Sequence, residues 1–208
     1  YEDVRALSAV LIPRIFGTLP ANMLTTPCAT HRLGRCLNAM RSRGSRSLSS
    51  AAPPSLFHGV WPIMATPFHP DESLDLEGFA NAIRFMGSAG ADGVTVVGVL
   101  GESNRITDAE RERLVRCAVQ AAGSVGRPFP VCVGTSHSGT AATVALSQMA
   151  QELGAAGVMV TPSKEASGNW DDALLVLYSR VAAGCPGLPI VLQDHPGSTG
   201  VHMPVPLL

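Results

Sequence analysis

From Gly59 to the end of the chain, short apolar runs rich in β-branched residues alternate with longer amphipathic stretches. No other feature constrains the fold as strongly. A β-branched run with no polar face fits a strand covered on both sides, and such strands belong to parallel sheets. Parallel neighbours need a long crossover, usually a helix. The apolar runs are "GVWPIMATPF", "DGVTVVGV", "FPVCVG", "AGVMVTP" and "LPIVLQ". The stretches between them are "LEGFANAIRFMGSAG", "TDAERERLVRCAVQAAG", "SGTAATVALSQMAQELG" and "NWDDALLVLYSRVAAG".

These four stretches carry helix punctuation. Asp75 stands at an N-cap position and Gly90 at the far end of the first. Thr107 and Glu110 have the spacing of a capping box. Asn169 is placed to cap the fourth, and Gly154 and Gly184 to close the third and fourth. In the second stretch Leu114, Val115, Ala118, Val119 and Ala122 fall on one stripe; in the third, Val144, Leu146, Met149, Ala150 and Leu153 are the apolar positions.

Strict alternation of this kind predicts an α/β fold of repeated βαβ units. A doubly wound sheet and a (β/α)8 TIM barrel both suit it, and periodicity alone does not separate them. No glycine-rich dinucleotide fingerprint follows the first run, where "MATPFHPDESLD" stands. In both architectures ligands meet the carboxyl ends of the strands. Those ends read "TPFH", "GVLGES", "GTSHSG", "TPSKEASG" and "QDHPGSTG".

Residues 1–56 differ in kind. No acidic residue occurs between Asp3 and Asp71, while seven arginines lie between Arg5 and Arg46, beside the run "SRGSRSLSSAAPPS". An Arg- and Ser-rich, acid-poor leader has the composition of a transit peptide, which places the protein in the mitochondrial matrix or a plastid, and otherwise in the cytoplasm. Met23 is a candidate start. A disordered basic tail, or upstream sequence translated in error, would have the same composition. The fold is expected to occupy residues 57–208.

The net charge of −1 gives no general attraction for nucleic acid. No apolar run reaches the roughly eighteen residues of a membrane span. Cysteines at 28, 36, 117, 132 and 185 are odd in number and lack CxxC spacing, so neither a disulfide framework nor a metal site is expected. Cys117 and Cys132 sit among apolar residues and read as packing groups.

At the loops the chain resembles the dihydrodipicolinate synthase / N-acetylneuraminate lyase family. The resemblance rests on "GVWPIMATPF", "GADGVTVVGVLGES", "TDAERERLV", "PVCVGTSHSGT", "AQELGAAGVMVTP" and "LPIVLQDHPGSTGVHMP", which occur in family order and spacing. It implies a (β/α)8 barrel of which about the first five strands are present. It also implies a lyase or aldolase that joins a lysine to a pyruvate-type 2-oxo acid as a Schiff base, with no cofactor and no metal, acting as a homo-oligomer. By the same resemblance Gly98, Val99, Leu100 and Gly101 hold the substrate carboxylate, in place of the family's Gly-Thr-Thr-Gly. Glu102 fixes that loop, and His137 and Asp194 support the site.

Three departures stand out. Gln193 takes the position of the family's proton-relaying tyrosine, and Gln has no proton to exchange in the ordinary range. Ser198 takes the position of the arginine, which argues against a dicarboxylic aldehyde as substrate. Pro162-Ser163-Lys164 replaces Pro-Tyr-Tyr, so the aromatic relay is lost. His195 beside Gln193 is the remaining candidate catalyst. The family's Schiff-base lysine ends a sixth strand, and this chain stops at "MPVPLL", so it is read as part of a longer protein with that lysine further on. Lys164, the one lysine of the chain, follows the fourth strand and is read as facing the substrate. Its neighbour Glu165 favours the ammonium form and opposes nucleophilic use. The alternative is a non-catalytic paralogue with a binding or regulatory role.

Overall fold

The computed structural model describes residues 8–11, 57–163 and 170–207, all within one compact unit. Strand β1 is Ser8–Leu11. Then come helix α1 (Leu76–Ser88), β2 (Val94–Val96), α2 (Asp108–Gly123), β3 (Val131–Gly134), α3 (Thr140–Glu152), β4 (Gly157–Val160), α4 (Trp170–Gly184), β5 (Ile190–Gln193) and the single turn α5 (Pro196–Thr199). The sheet order is β1-β5-β4-β3-β2. Strands β2 to β5 are parallel in sequence order, with Val94 opposite Val131, Val133 opposite Val158, and Val158 opposite Ile190.

One expectation is corrected here. The run "GVWPIMATPF" is not a full strand. It makes one parallel bridge, Ile63 with Thr95, held by Met64 N–H to Thr95 O (2.8 Å) and Thr95 N–H to Pro62 O (2.9 Å). Pro62 has no N–H to donate, and Pro67 ends the run, so the ladder cannot extend. The fifth strand of the sheet is Ser8–Leu11. Ser8–Leu11 pairs antiparallel with β5, Ser8 opposite Gln193 and Leu11 opposite Ile190. An apolar run against the free edge of β5 satisfies backbone groups that would otherwise lie open.

Helix ends follow the sequence closely. Asp75 accepts from Gly78 N–H at 2.8 Å, and Thr107 and Glu110 form the reciprocal capping box. Gly90 and Gly154 have φ of +93° and +90°, a region that glycine enters without penalty. Gly184 departs from its expected closing role. It is the last residue of α4 and lies against Val144 of α3, while Gly187 (φ +78°) makes the turn.

The two faces of the sheet are different. Val94, Val96, Val131, Val133, Val158, Val160, Ile190 and Leu192 share one core with Phe79 and Ile83 of α1, Leu114 and Val115 of α2, Ala150 of α3 and Val181 of α4. By the two-residue period of a strand, Cys132, Met159 and Val191 point the other way. They form a second cluster with Phe57 and Trp61. The Phe57 and Trp61 rings lie 4.6 Å apart, and Trp61 Nε1 donates to His58 O. Gly93 and Gly157 make room for them: a Cβ on Gly93 would sit 2.6 Å from the indole, and one on Gly157 would sit 2.5 Å from the Phe57 ring. Burial pushes the Cys132 thiol up to about 12, which keeps it a packing group. A doubly wound sheet carries helices on both faces. Here the four long helices share one face and an apolar interior fills the other, which is the layering of a barrel wall.

Candidate functional site

The loops at the carboxyl ends of the strands build the site. After β2, Val97 is buried with φ +56°, a left-handed conformation that is an outlier for a β-branched residue. Strain of this kind tends to collect at functional loops. Gly98 is extended, and Val99–Gly101 form one 3₁₀ turn closed by Gly101 N–H to Gly98 O (3.0 Å) and Glu102 N–H to Val99 O (3.2 Å). The amides of Val99 and Leu100 donate in neither bond, as expected for the first N–H groups of a helical turn.

Glu102 closes the turn with its own left-handed backbone (φ +55°) and accepts from Arg105 N–H at 2.8 Å. Its carboxylate pairs with Arg105 at 3.2 Å. A deeper tether is Thr66, buried at 4% exposure, whose Oγ1 donates to Gly101 O at 2.6 Å. Thr66→Val keeps the shape, removes the donor and strands a buried carbonyl, so it is expected to cost about 1–3 kcal/mol. Urea unfolding measures this. A loss below a few tenths of a kcal/mol would show that the bond does not hold the loop.

The end of β3 is knitted to β4. Ser136 Oγ accepts from Thr161 N–H (2.8 Å) and pairs with Thr161 Oγ1 (2.9 Å). Thr135 Oγ1 and Ser147 Oγ are 2.8 Å apart in the interior. His137 accepts Gly139 N–H on Nδ1 at 3.0 Å, so its ring helps to fix the start of α3. After β4, Thr161, Pro162 and Ser163 reach the site; Lys164 lies outside the described residues.

At the end of β5, Gln193 is 8% exposed and shares the inner face with Val191. Asp194 faces the opposite way. Its Oδ1 is buried without a hydrogen-bond partner among the described residues. Burial, and then the nearby Asp194 carboxylate, push the Tyr178 phenol upward, while its OH donates to Val160 O at 3.0 Å. His195 Nδ1 sits 2.6 Å from Ser198 Oγ, and Thr199 Oγ1 donates to His195 O at 3.2 Å. The ring is thus engaged by its own short turn.

An open cleft of about 510 Å³ joins these loops. Val99, Ser103, Asn104, Arg111, Ser136, His137, Thr161, Ser163, Ser198 and Thr199 are among its walls. Of the residues singled out in the sequence it brings together Val99, His137, Ser198 and the Pro162-Ser163 pair. Gly98, Leu100, Gly101 and Glu102 are in the same turn as Val99 but off its lining, and so are Gln193, Asp194 and His195. Arg111 went unmarked in the sequence, yet it left a signal. It stands three and four residues before Leu114 and Val115, on the apolar stripe, where an arginine must be buried. Among the described residues no group of three His, Cys, Asp or Glu side chains could hold a metal ion, and no helix is long and apolar enough to cross a membrane.

Helices on one face of a parallel sheet, an apolar interior on the other, and a polar cleft at the strand ends define part of a (β/α)8 barrel. The chain belongs to the dihydrodipicolinate synthetase family, whose model matches residues 56–207. It is similar to the 4-hydroxy-tetrahydrodipicolinate synthase of Acidothermus cellulolyticus, 35% identical over 153 residues, covering 74% of this chain and 48% of the relative. The enzyme of the same name from Stenotrophomonas maltophilia strain R551-3 is 38% identical over 146 residues, 70% of this chain and 47% of the relative. Among solved structures, dihydrodipicolinate synthase from Aquifex aeolicus superposes with a TM-score of 0.66 at 30% identity, covering 73% of this chain and 50% of that one. The chain therefore spans about half the length of the relatives it matches.

Proposed function

We propose that the longer protein of which this barrel wall is part is a lyase or aldolase acting on a pyruvate-type 2-oxo acid through a lysine Schiff base. The family match over residues 56–207 carries this reading. The loop chemistry supports it. Two amides of the Val99–Gly101 turn lie outside the turn's own bonds, and oriented backbone N–H groups suit a carboxylate. The lysine amine would add to the keto carbon and expel water, and the resulting iminium would draw electrons from the carbon–carbon bond that breaks or forms. Gln193 cannot relay a proton, and Ser198 cannot clamp a second carboxylate as an arginine would. The proposed substrate is accordingly a 2-oxo acid whose far end carries no carboxylate read by this loop.

Borohydride reduction of the full-length protein in the presence of pyruvate, followed by peptide mass mapping, tests the proposal. The expected result is one reduced adduct on a lysine beyond Leu208. An adduct on Lys164 would overturn the assignment of the lysine. No adduct with any 2-oxo acid offered would sink the Schiff-base reading and leave a binding or regulatory role.

A further inference from the structure

Arg111 is the one strongly buried cation of the cleft wall among the described residues, with its side chain only 5% exposed. It leaves the second turn of α2 and reaches across two strand ends. Its Nη2 donates to Ser103 O at 2.9 Å, in the loop that follows the Val99–Gly101 turn. Its Nη1 reaches Gly134 O at 3.5 Å, at the carboxyl end of β3. Nε has no hydrogen-bond partner among the described residues, and Asp108 Oδ1 stands 4.0 Å away on an exposed side chain. Burial lowers the guanidinium's pKa from its ordinary value and Asp108 raises it, yet the group stays charged. Burying a charge this deeply is costly unless its hydrogen bonds are used. The bonds it makes are to two backbone carbonyls of separate loops.

The same two segments also meet by close packing. Gly134 lies against the Val97 carbonyl and Gly98 Cα, with no room for a Cβ. Arg111 therefore fastens from above what Gly134 packs from the side. Between the two fastenings lie Gly98, Val99, Leu100, Gly101 and Glu102.

We infer that Arg111 is a positioning residue: its planar fork ties Ser103 to Gly134 and so holds the Gly98–Gly101 turn in its shape beside the cleft. A fork is required because two carbonyls on different segments must be met at once. A lysine has three donors, but all on a single atom, so it cannot span the two carbonyls that separate Nη1 and Nη2 groups meet. The consequence for substrate binding rests on the 2-oxo acid reading given above.

The test compares the full-length protein with Arg111→Met, Arg111→Lys and, as a control, Arg113→Ala, which alters an exposed arginine of the same helix. Hydrogen exchange of the amides from 98 to 103 is followed alongside those of β4, and pyruvate affinity is measured by calorimetry. A hydrogen bond to a charged group is worth enough that its loss should speed exchange in this loop by about tenfold or more. Arg111→Met should show that acceleration with β4 unchanged, Arg111→Lys a smaller one, and Arg113→Ala none. Pyruvate affinity should fall in the same order. Equal exchange in wild type and Arg111→Lys, or acceleration spread evenly over β4 and the loop, would overturn the inference. Should Arg111→Met fail to fold, Arg111→Lys alone decides. If wild type binds no pyruvate while loop exchange still follows the stated order, the positioning role stands and the functional reading falls.

Discussion

Gly134→Ala is expected to destabilise the protein by about 3 kcal/mol or more, the upper part of the range for overpacking a core. A Cβ at this position would lie 2.3 Å from Val97 O and 2.8 Å from Gly98 Cα. Both are backbone atoms of a neighbouring segment, so no rotamer change relieves the clash. Gly157→Ala should cost less. Its nearest contact is the tip of Phe57 at 2.5 Å, which can swing, although Pro189 O at 3.0 Å cannot. Gly123→Ala, at the end of α2 with nothing within 4 Å, should be neutral or stabilise by about 0.5–1 kcal/mol through lost chain freedom in the unfolded state. Urea midpoints of the three variants rank them. A Gly134→Ala variant as stable as Gly123→Ala would mean that β2 and β3 are not packed as described.

Phe79→Ala is expected to cost about 3–5 kcal/mol, because a fully buried ring leaves a cavity its neighbours cannot close. Phe79 is 0% exposed, on the face of α1 that joins the main core. Phe85, six residues on in the same helix, is 65% exposed, and Phe85→Ala should stay within about 0.5 kcal/mol of wild type. The pair separates burial from helix propensity, since both substitutions place the same residue in the same helix. Equal losses would contradict the orientation of α1.

The helices were legible in the sequence because their ends are written in residue types. Asp75, Thr107 with Glu110, Gly90 and Gly154 each do in space what their chemistry suggests. The parallel strands β2 to β5 were legible because an all-apolar β-branched run has few other uses. Failures came where hydrogen bonding overrides hydrophobicity. "GVWPIMATPF" is apolar enough for a strand, but its prolines reduce it to isolated bridges, Ile63 with Thr95 and Phe68 with Leu74. Ser8–Leu11 lies in an Arg- and Ser-rich, acid-poor stretch, and its place on β5 depends on which edge is free, a property of the assembled sheet.

The site was legible as a set of loops and less so as a set of side chains. A period of two puts Gln193 on the inner face and Asp194 on the outer, yet says nothing of what each meets. His195 carries the functional group of a catalyst, but a serine three residues on engages it. Arg111 shows the reverse case. Composition makes it one arginine of many, and only its place on an apolar stripe betrays that it must be buried.

The pairing of Phe57 with Trp61 on the inner face has a practical consequence. The chain has two tryptophans, Trp61 and Trp170. Trp61 stands in the apolar cluster that includes Cys132 and Met159. Sulfur groups close to an indole change its emission, and so does the entry of water. The interior of the barrel thus carries its own optical gauge. Loosening of the inner wall can be followed by fluorescence without a label, with Trp170→Phe removing the second signal.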